Sequence, residues 1–222
     1  MDEGSGPGGQ ARGGGSREDA GFDLSNPARS FVSTVREVLF DPIGFFRRLP
    51  PRGWSLNPVV FALICALISA PLAILAASFD PLVEEGVPSM LDPLIALVAQ
   101  PGGSVVAVVV LVLTILILVP ALALLVLYIG AAIYHILVRI FVRPTDSDFQ
   151  ATLRVVAYTS AIDLLTWIPV VGILASLYGL YLAFVGIREI HGTTTGRALA
   201  VISLPIVFFV ALTVLPLLQR ST

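Results

Sequence analysis

The chain has 222 residues, 56% hydrophobic and only 13% charged, with a net charge of -2 and a mean hydropathy of +0.93. One soluble core cannot hide that much apolar surface, so a soluble globular class is excluded, and the charge balance offers no basic surface for nucleic acid. The lone cysteine, Cys65, has no partner for an internal disulfide, and all 13 basic residues are arginine, a usage that fits a high-G+C bacterial genome.

In chain order, residues 1–30 are rich in Gly, Ser and Pro and read as a disordered cytoplasmic tail. Asp2, Glu3 and the lack of an apolar core argue against a secretory signal. From 31 to 52 the pattern becomes amphipathic, with Phe31, Val35, Val38, Leu39, Pro42, Phe45, Phe46 and Leu49 at steps of three and four. Ser33, Arg36, Glu37, Arg47 and Arg48 fall off that stripe. Asp41-Pro42 predicts a break, with Asp as N-cap and Pro opening a second short helix. The expectation is two interfacial helices, their Phe side chains dipped into the membrane and their Arg side chains among headgroups.

Five spans follow, at about 58–79, 104–142, 151–168, 170–190 and 198–218. The fold class is therefore all-α: a polytopic integral membrane protein with five transmembrane helices preceded by amphipathic interfacial helices. The second span would be roughly 58 Å long, twice the hydrocarbon thickness, so a hairpin turning at Pro120 is the alternative. Arginines decide for one kinked helix. With five spans and the N-terminus inside, Arg47, Arg48, Arg52, Arg139, Arg143, Arg188 and Arg197 are cytoplasmic, Arg154 enters its span from that side, and Arg220 lies outside. A hairpin would carry Arg139, Arg143, Arg188 and Arg197 across the membrane, against the positive-inside rule. The acidic loop 80–103 then lies outside, with a short helix expected over 93–100, and Trp167, Pro169 and Gly172 suit a tight external turn.

The stretch from Asp148 to Ala200 resembles the second half of a Yip-family (Ypt-interacting protein) domain in its prokaryotic form. The resemblance rests on Phe149, Tyr158, the Ile168-Pro169-Val170-Val171-Gly172 turn, and Gly186-Ile187-Arg188-Glu189-Ile190-His191-Gly192 leading to Gly196-Arg197-Ala198. Upstream, Asp41-Pro42 with Phe45-Phe46, and His135 to Arg139, are also similar. It implies five spans and a cytoplasmic N-terminus. Eukaryotic relatives bind Rab-type GTPases through an Asp-Leu-Tyr-Gly-Pro motif and a Gly-Tyr pair. Here Asp41-Pro42-Ile43-Gly44-Phe45 and Ala157-Tyr158 stand in those places, so GTPase binding is not carried over.

Four groups of residues are candidates for function. Gly172, Ser176, Gly179, Ala183 and Gly186 form a small-residue face on the fourth span, matched by Ala62, Ala66, Ser69, Ala73 and Ala76 on the first, and the two are expected to pack together or to self-associate. Asp163, the one carboxylate within a span away from its cytoplasmic end, and the aromatic hydroxyl Tyr158 are intramembrane polar groups. Arg47, Arg48, His135, Arg139, Arg188, Glu189, His191 and Arg197 gather at the cytoplasmic level as contacts for anionic headgroups or a partner. Arg188 and Arg197 with the hydroxyls of Thr193, Thr194 and Thr195 would suit a phosphorylated headgroup. No metal or cofactor site is expected, since His135, His191 and Glu189 lack ligand spacing on one helix.

No HExxH, GxSxG or P-loop is present, so the chain is not read as an enzyme. The leading reading is a non-catalytic membrane protein that organises anionic lipid or recruits partners at its cytoplasmic face, in the cell membrane, with homo-oligomer formation open. The alternative is a small-molecule or lipid transporter or channel using Asp163.

Overall fold

A computed structural model of the protein describes residues 21–53, 56–77, 96, 105–142 and 147–220, and the elements among them are helical. Helix α1 (Pro27–Phe40) and helix α2 (Pro42–Arg48) each open on a proline, whose missing N–H is no loss in a first turn. At the break between them the Asp41 carboxylate accepts from the Gly44 N–H at 3.1 Å, the N-cap its position predicts.

Ordered chain reaches further back than the composition of 1–30 suggests. Phe22 is buried between Phe61 and Tyr158, and its N–H donates to the Tyr158 hydroxyl at 3.3 Å. Asp23 accepts from the Ser25 N–H at 2.8 Å, and Ser30 Oγ donates to the Asp23 carbonyl at 2.8 Å, turning the chain into α1. Gly21 sits at φ +117°, and a Cβ there would lie 2.5 Å from the Tyr158 hydroxyl, so this approach needs glycine.

Helix α3 (Asn57–Ala77), helix α4 (Val105–Phe141) and helix α7 (Val171–Ile190) contain segments long and apolar enough to cross a membrane: Asn57–Ala76, Val108–Phe141 and Val171–Ile190. Helix α4 runs unbroken for 37 residues with Pro120 inside it, so there is no hairpin at that position. Its side chains Leu116, Ile117, Val126, Ile129 and Ile140 are exposed, an apolar surface that only lipid or another apolar partner covers. The acidic loop and the short helix expected at 93–100 fall outside the described residues apart from Ala96.

The stretch expected as a single third span is interrupted. Helix α5 (Phe149–Thr159) passes into a 3-10 turn (Ser160–Ile162) and then helix α6 (Asp163–Thr166). Consecutive hydroxyls explain the break: Thr159 donates to the Val155 carbonyl at 2.7 Å and Ser160 to Val156 at 3.4 Å, competing with the backbone for the carbonyls that would continue the helix. Helix α8 (Thr195–Arg220) has 26 residues, with an apolar stretch over Thr195–Phe208.

Helix α5 sits at the centre and packs on α3, α4 and α7, while α8 leans on α4 and α7. This corrects the expected pairing of the first and fourth spans. The Ala62 side of α3 meets Leu127 and Ala131 of α4 and Ala157 of α5. On α7, added Cβ atoms at Gly179 and Gly186 would lie 3.3 Å from Ile162 and 2.6 Å from Val155, so that small-residue face receives the third stretch instead. Gly172 backs onto the Thr166 carbonyl in the tight turn, Ala183 is buried, and Ser176 is exposed. In the same turn Val170 is held at φ 65°, a left-handed conformation that a β-branched residue rarely adopts.

Candidate interfacial site

Helix α2 is too short to be stable alone, so its position depends on what it packs against. Its aromatic face turns inward. Phe45 and Phe46 are 1% and 0% exposed, Phe45 stacks edge-on against Tyr158 at 5.0 Å, and Phe46 lies beside Gly186 of α7. These rings therefore fill the protein core, a correction to the expectation that they dip into lipid; α7 offers them a glycine-lined groove closer than any bilayer.

Buried Arg154 closes the connection after α2. Its Nη1 donates to the Pro50 carbonyl at 2.9 Å and its Nη2 to the Gly53 carbonyl at 2.5 Å. A guanidinium presents five donors in a fixed fork, which suits carbonyls on a turning backbone better than an ammonium would. Arg154 entered the sequence reading only as a topology marker; nothing in the spacing shows that the 50–53 carbonyls converge on it.

Several of the expected contact residues do come together. Glu189 takes Arg47 Nε at 3.0 Å on one oxygen and Arg188 Nη2 at 2.6 Å on the other, and Arg188 also lies 5.6 Å over the Phe184 ring. Arg48 pairs with Glu37 of α1. Beneath them runs a hydrogen-bonded chain: Ser147 Oγ to His191 Nδ1 at 2.6 Å, His191 Nε2 to Thr152 Oγ1 at 3.1 Å, and Thr152 Oγ1 to His135 Nδ1 at 3.3 Å. His191 is 4% exposed, and burial, helped by the neighbouring His135, pushes its pKa down to about 4 against the opposing pull of Asp148.

Other expected residues stand apart. Arg139 and Arg197 are exposed at the end of α4 and the start of α8, and Arg143 lies outside the described residues. Arg188 is committed to Glu189, so the arginine pair imagined with Thr193, Thr194 and Thr195 does not form a common grip. Tyr158 is a core residue ringed by Phe22, Phe45 and Phe61. Asp163, half-buried at the start of α6, lines a cavity of about 220 Å³ between α4, α5 and α7. Among the described residues no three His, Cys, Asp or Glu side chains gather as metal ligands.

A groove of about 840 Å³ along α1 is a feature the sequence reading missed. Arg29, Arg36 and Ser33 line it together with Val32, Phe40 and the carboxylates Glu37, held by Arg48, and Asp41, which caps α2; Phe40 is 82% exposed. Arg29 and Arg36 make no ion pair among the described residues, in contrast to Arg47, Arg48 and Arg188. The signal was present in the 3.6-residue period, which places 29, 32, 33, 36 and 40 on one face.

Neither the curated proteins nor the solved structures contain a match to this chain. The family model of the Yip1 domain matches residues 36–215, from the middle of α1 to near the end of α8. The chain belongs to the Yip1 domain family of membrane proteins.

Proposed function

We propose that the protein is a non-catalytic, five-span membrane protein whose α1–α2 cap gathers anionic lipid headgroups at the cytoplasmic surface. The five spans would be α3, α4, the interrupted α5–α6 stretch, α7 and α8, with the N-terminus cytoplasmic, an orientation that the arginine distribution supports. What carries the lipid reading is the α1 groove. It sets two guanidinium groups without internal carboxylate partners beside exposed Val32 and Phe40, the pairing of cationic and apolar contacts that an interfacial helix uses on an anionic leaflet. Arg47 is engaged by Glu189 of α7 and ties α2 to the bundle, Arg48 ties α2 to Glu37 of α1, and Arg188 is taken by Glu189 on its own helix, so these arginines are not the free cations of the cap.

The test is lipid selection by the full chain in nanodiscs of mixed phosphatidylcholine and phosphatidylglycerol, read by native mass spectrometry. Arg29→Gln with Arg36→Gln should weaken retention of the anionic lipid by about 2 kcal/mol, roughly thirtyfold, at about 1 kcal/mol per arginine. Unchanged lipid selection in the double variant would refute the reading.

A further inference from the structure

The 220 Å³ cavity has a lining that specifies the charge of its occupant. It is bounded by Tyr134 of α4, Thr159 at the end of α5, Ser160 of the 3-10 turn, Asp163 of α6, and Ser176 and Gly179 of α7. A hydroxyl carries a single proton, and three of these hydroxyls have already used theirs. Thr159 donates to the Val155 carbonyl at 2.7 Å, Ser160 to Val156 at 3.4 Å and Ser176 to Gly172 at 2.8 Å. What they have left to offer the cavity is lone pairs. Thr166 donates to the backbone carbonyl of Asp163 at 2.9 Å, and among the described residues the Asp163 carboxylate is in no ion pair. The arginines at the ends of α4 and α7 are remote from it, at the opposite end of α7 from the turn that α6 enters.

A carboxylate beside three hydroxyl oxygens whose protons are already spent, and in no ion pair among the described residues, is complemented by a cation with several N–H donors. Size and wall chemistry narrow the class. A cavity of about 150 Å³ holds a benzene-sized guest, and here Val156, Ile162 and Leu180 supply apolar wall beside the polar groups. A strongly hydrated metal ion would have to shed its water against those walls, whereas an alkylammonium presents methylenes to them. We propose that this cavity binds a primary ammonium group, with Asp163 as countercharge and the Ser160 and Ser176 oxygens accepting its N–H bonds. The ammonium comes from a soluble amine or from the ethanolamine headgroup of a lipid entering past exposed Ser176. This site shares no residue with the α1 groove, so either proposal can fail without the other.

The experiment uses the full chain in nanodiscs of phosphatidylcholine and phosphatidylglycerol in an amine-free buffer, titrated with n-butylammonium while the unfolding temperature is followed. A saturable rise is expected, with tetramethylammonium and Na⁺ weaker by about tenfold because neither donates N–H bonds. Asp163→Asn should weaken butylammonium by about tenfold or more. Ser176→Val keeps the carboxylate and should cost about threefold, which serves as the deciding variant if Asp163→Asn does not fold. No saturable rise, an equal rise with Na⁺, or an undiminished response in the folded variants overturns the assignment. Native mass spectrometry with added phosphatidylethanolamine separates the sources: retained lipid displaced by butylammonium identifies the headgroup, and amine binding without lipid retention identifies a soluble amine, both in support.

Discussion

Arg154 reaches across 101 positions of sequence to donate to the carbonyl of Gly53 at 2.5 Å, so the third stretch of the bundle holds the backbone that joins cap to first span. Removing the guanidinium leaves the carbonyls of Pro50 and Gly53 without their donor. Arg154→Ala should destabilise the protein by about 3 kcal/mol, and Arg154→Lys should recover only part of it, since an ammonium cannot span both acceptors in a fixed plane. Thermal unfolding in detergent, followed by intrinsic fluorescence, checks the ranking; equal unfolding temperatures for wild type and Arg154→Ala would contradict it.

Tyr158→Phe isolates a second tether. It keeps the ring among Phe45 and Phe61 and removes only the acceptor for the Phe22 N–H. The cost should be about 1 kcal/mol, with faster amide hydrogen exchange concentrated in residues 21–30. Exchange that stays unchanged there would mean the hydrogen bond contributes nothing to holding the segment.

Two glycines of α7 should respond to alanine in a fixed order. At Gly186 a Cβ meets Val155 at 2.6 Å and Phe46 at 3.2 Å, with the cap helix on one side and α5 on the other, while at Gly179 it meets Ile162 at 3.3 Å. Gly186→Ala should therefore cost roughly 1–3 kcal/mol and Gly179→Ala less, by the usual penalty for overpacking. The reverse order in thermal unfolding would show that the close α5–α7 approach is not what these glycines serve.

Acid should weaken the fold through His191. Its pKa falls from an ordinary 6.5 to about 4 in the folded chain, so between those values the unfolded chain binds the extra proton. The stability this contributes is complete above about pH 6.5, is lost as pH falls toward 4, and amounts to about 3 kcal/mol over the window. Ser147, Thr152, His135 and Asp148 are the groups that face it. His191→Gln should flatten the unfolding temperature between pH 4.5 and 6.5 to the slope left by other groups; a slope equal to wild type would remove His191 as its source.

Local chemistry was legible in the sequence wherever it is decided locally. The Asp41-Pro42 break rests on a cap and the tight turn after Trp167 on turn residues, while the unbroken helix through Pro120 was read from the arginines that a hairpin would carry across the membrane. What the sequence concealed depends on partners distant in the chain. The apolar period shows that Phe45 and Phe46 face something apolar, and hydrocarbon and a glycine-lined helix satisfy that period equally. Phe22 was lost in a glycine-rich background because one aromatic residue makes no period, and its partners Phe61 and Tyr158 come later in the chain. The break after Thr159 is hidden for another reason: in a hydropathy window a serine and a threonine lower the average slightly, while as back-bonding hydroxyls they redirect the helix.

The polar contacts that seat the cap on the bundle are made with late-emerging chain: Tyr178 to the Leu39 carbonyl over 139 positions, Arg47 to Glu189 over 142, and the Phe22 N–H to Tyr158 over 136. At about 5–20 residues per second of synthesis, the first segment waits on the order of ten to thirty seconds before its receptor surface exists. During that interval the Phe45 and Phe46 face lacks Tyr158 and Gly186, the partners that bury it in the finished chain. Residues buried at the heart of the finished molecule thus spend their first seconds without the surface that buries them.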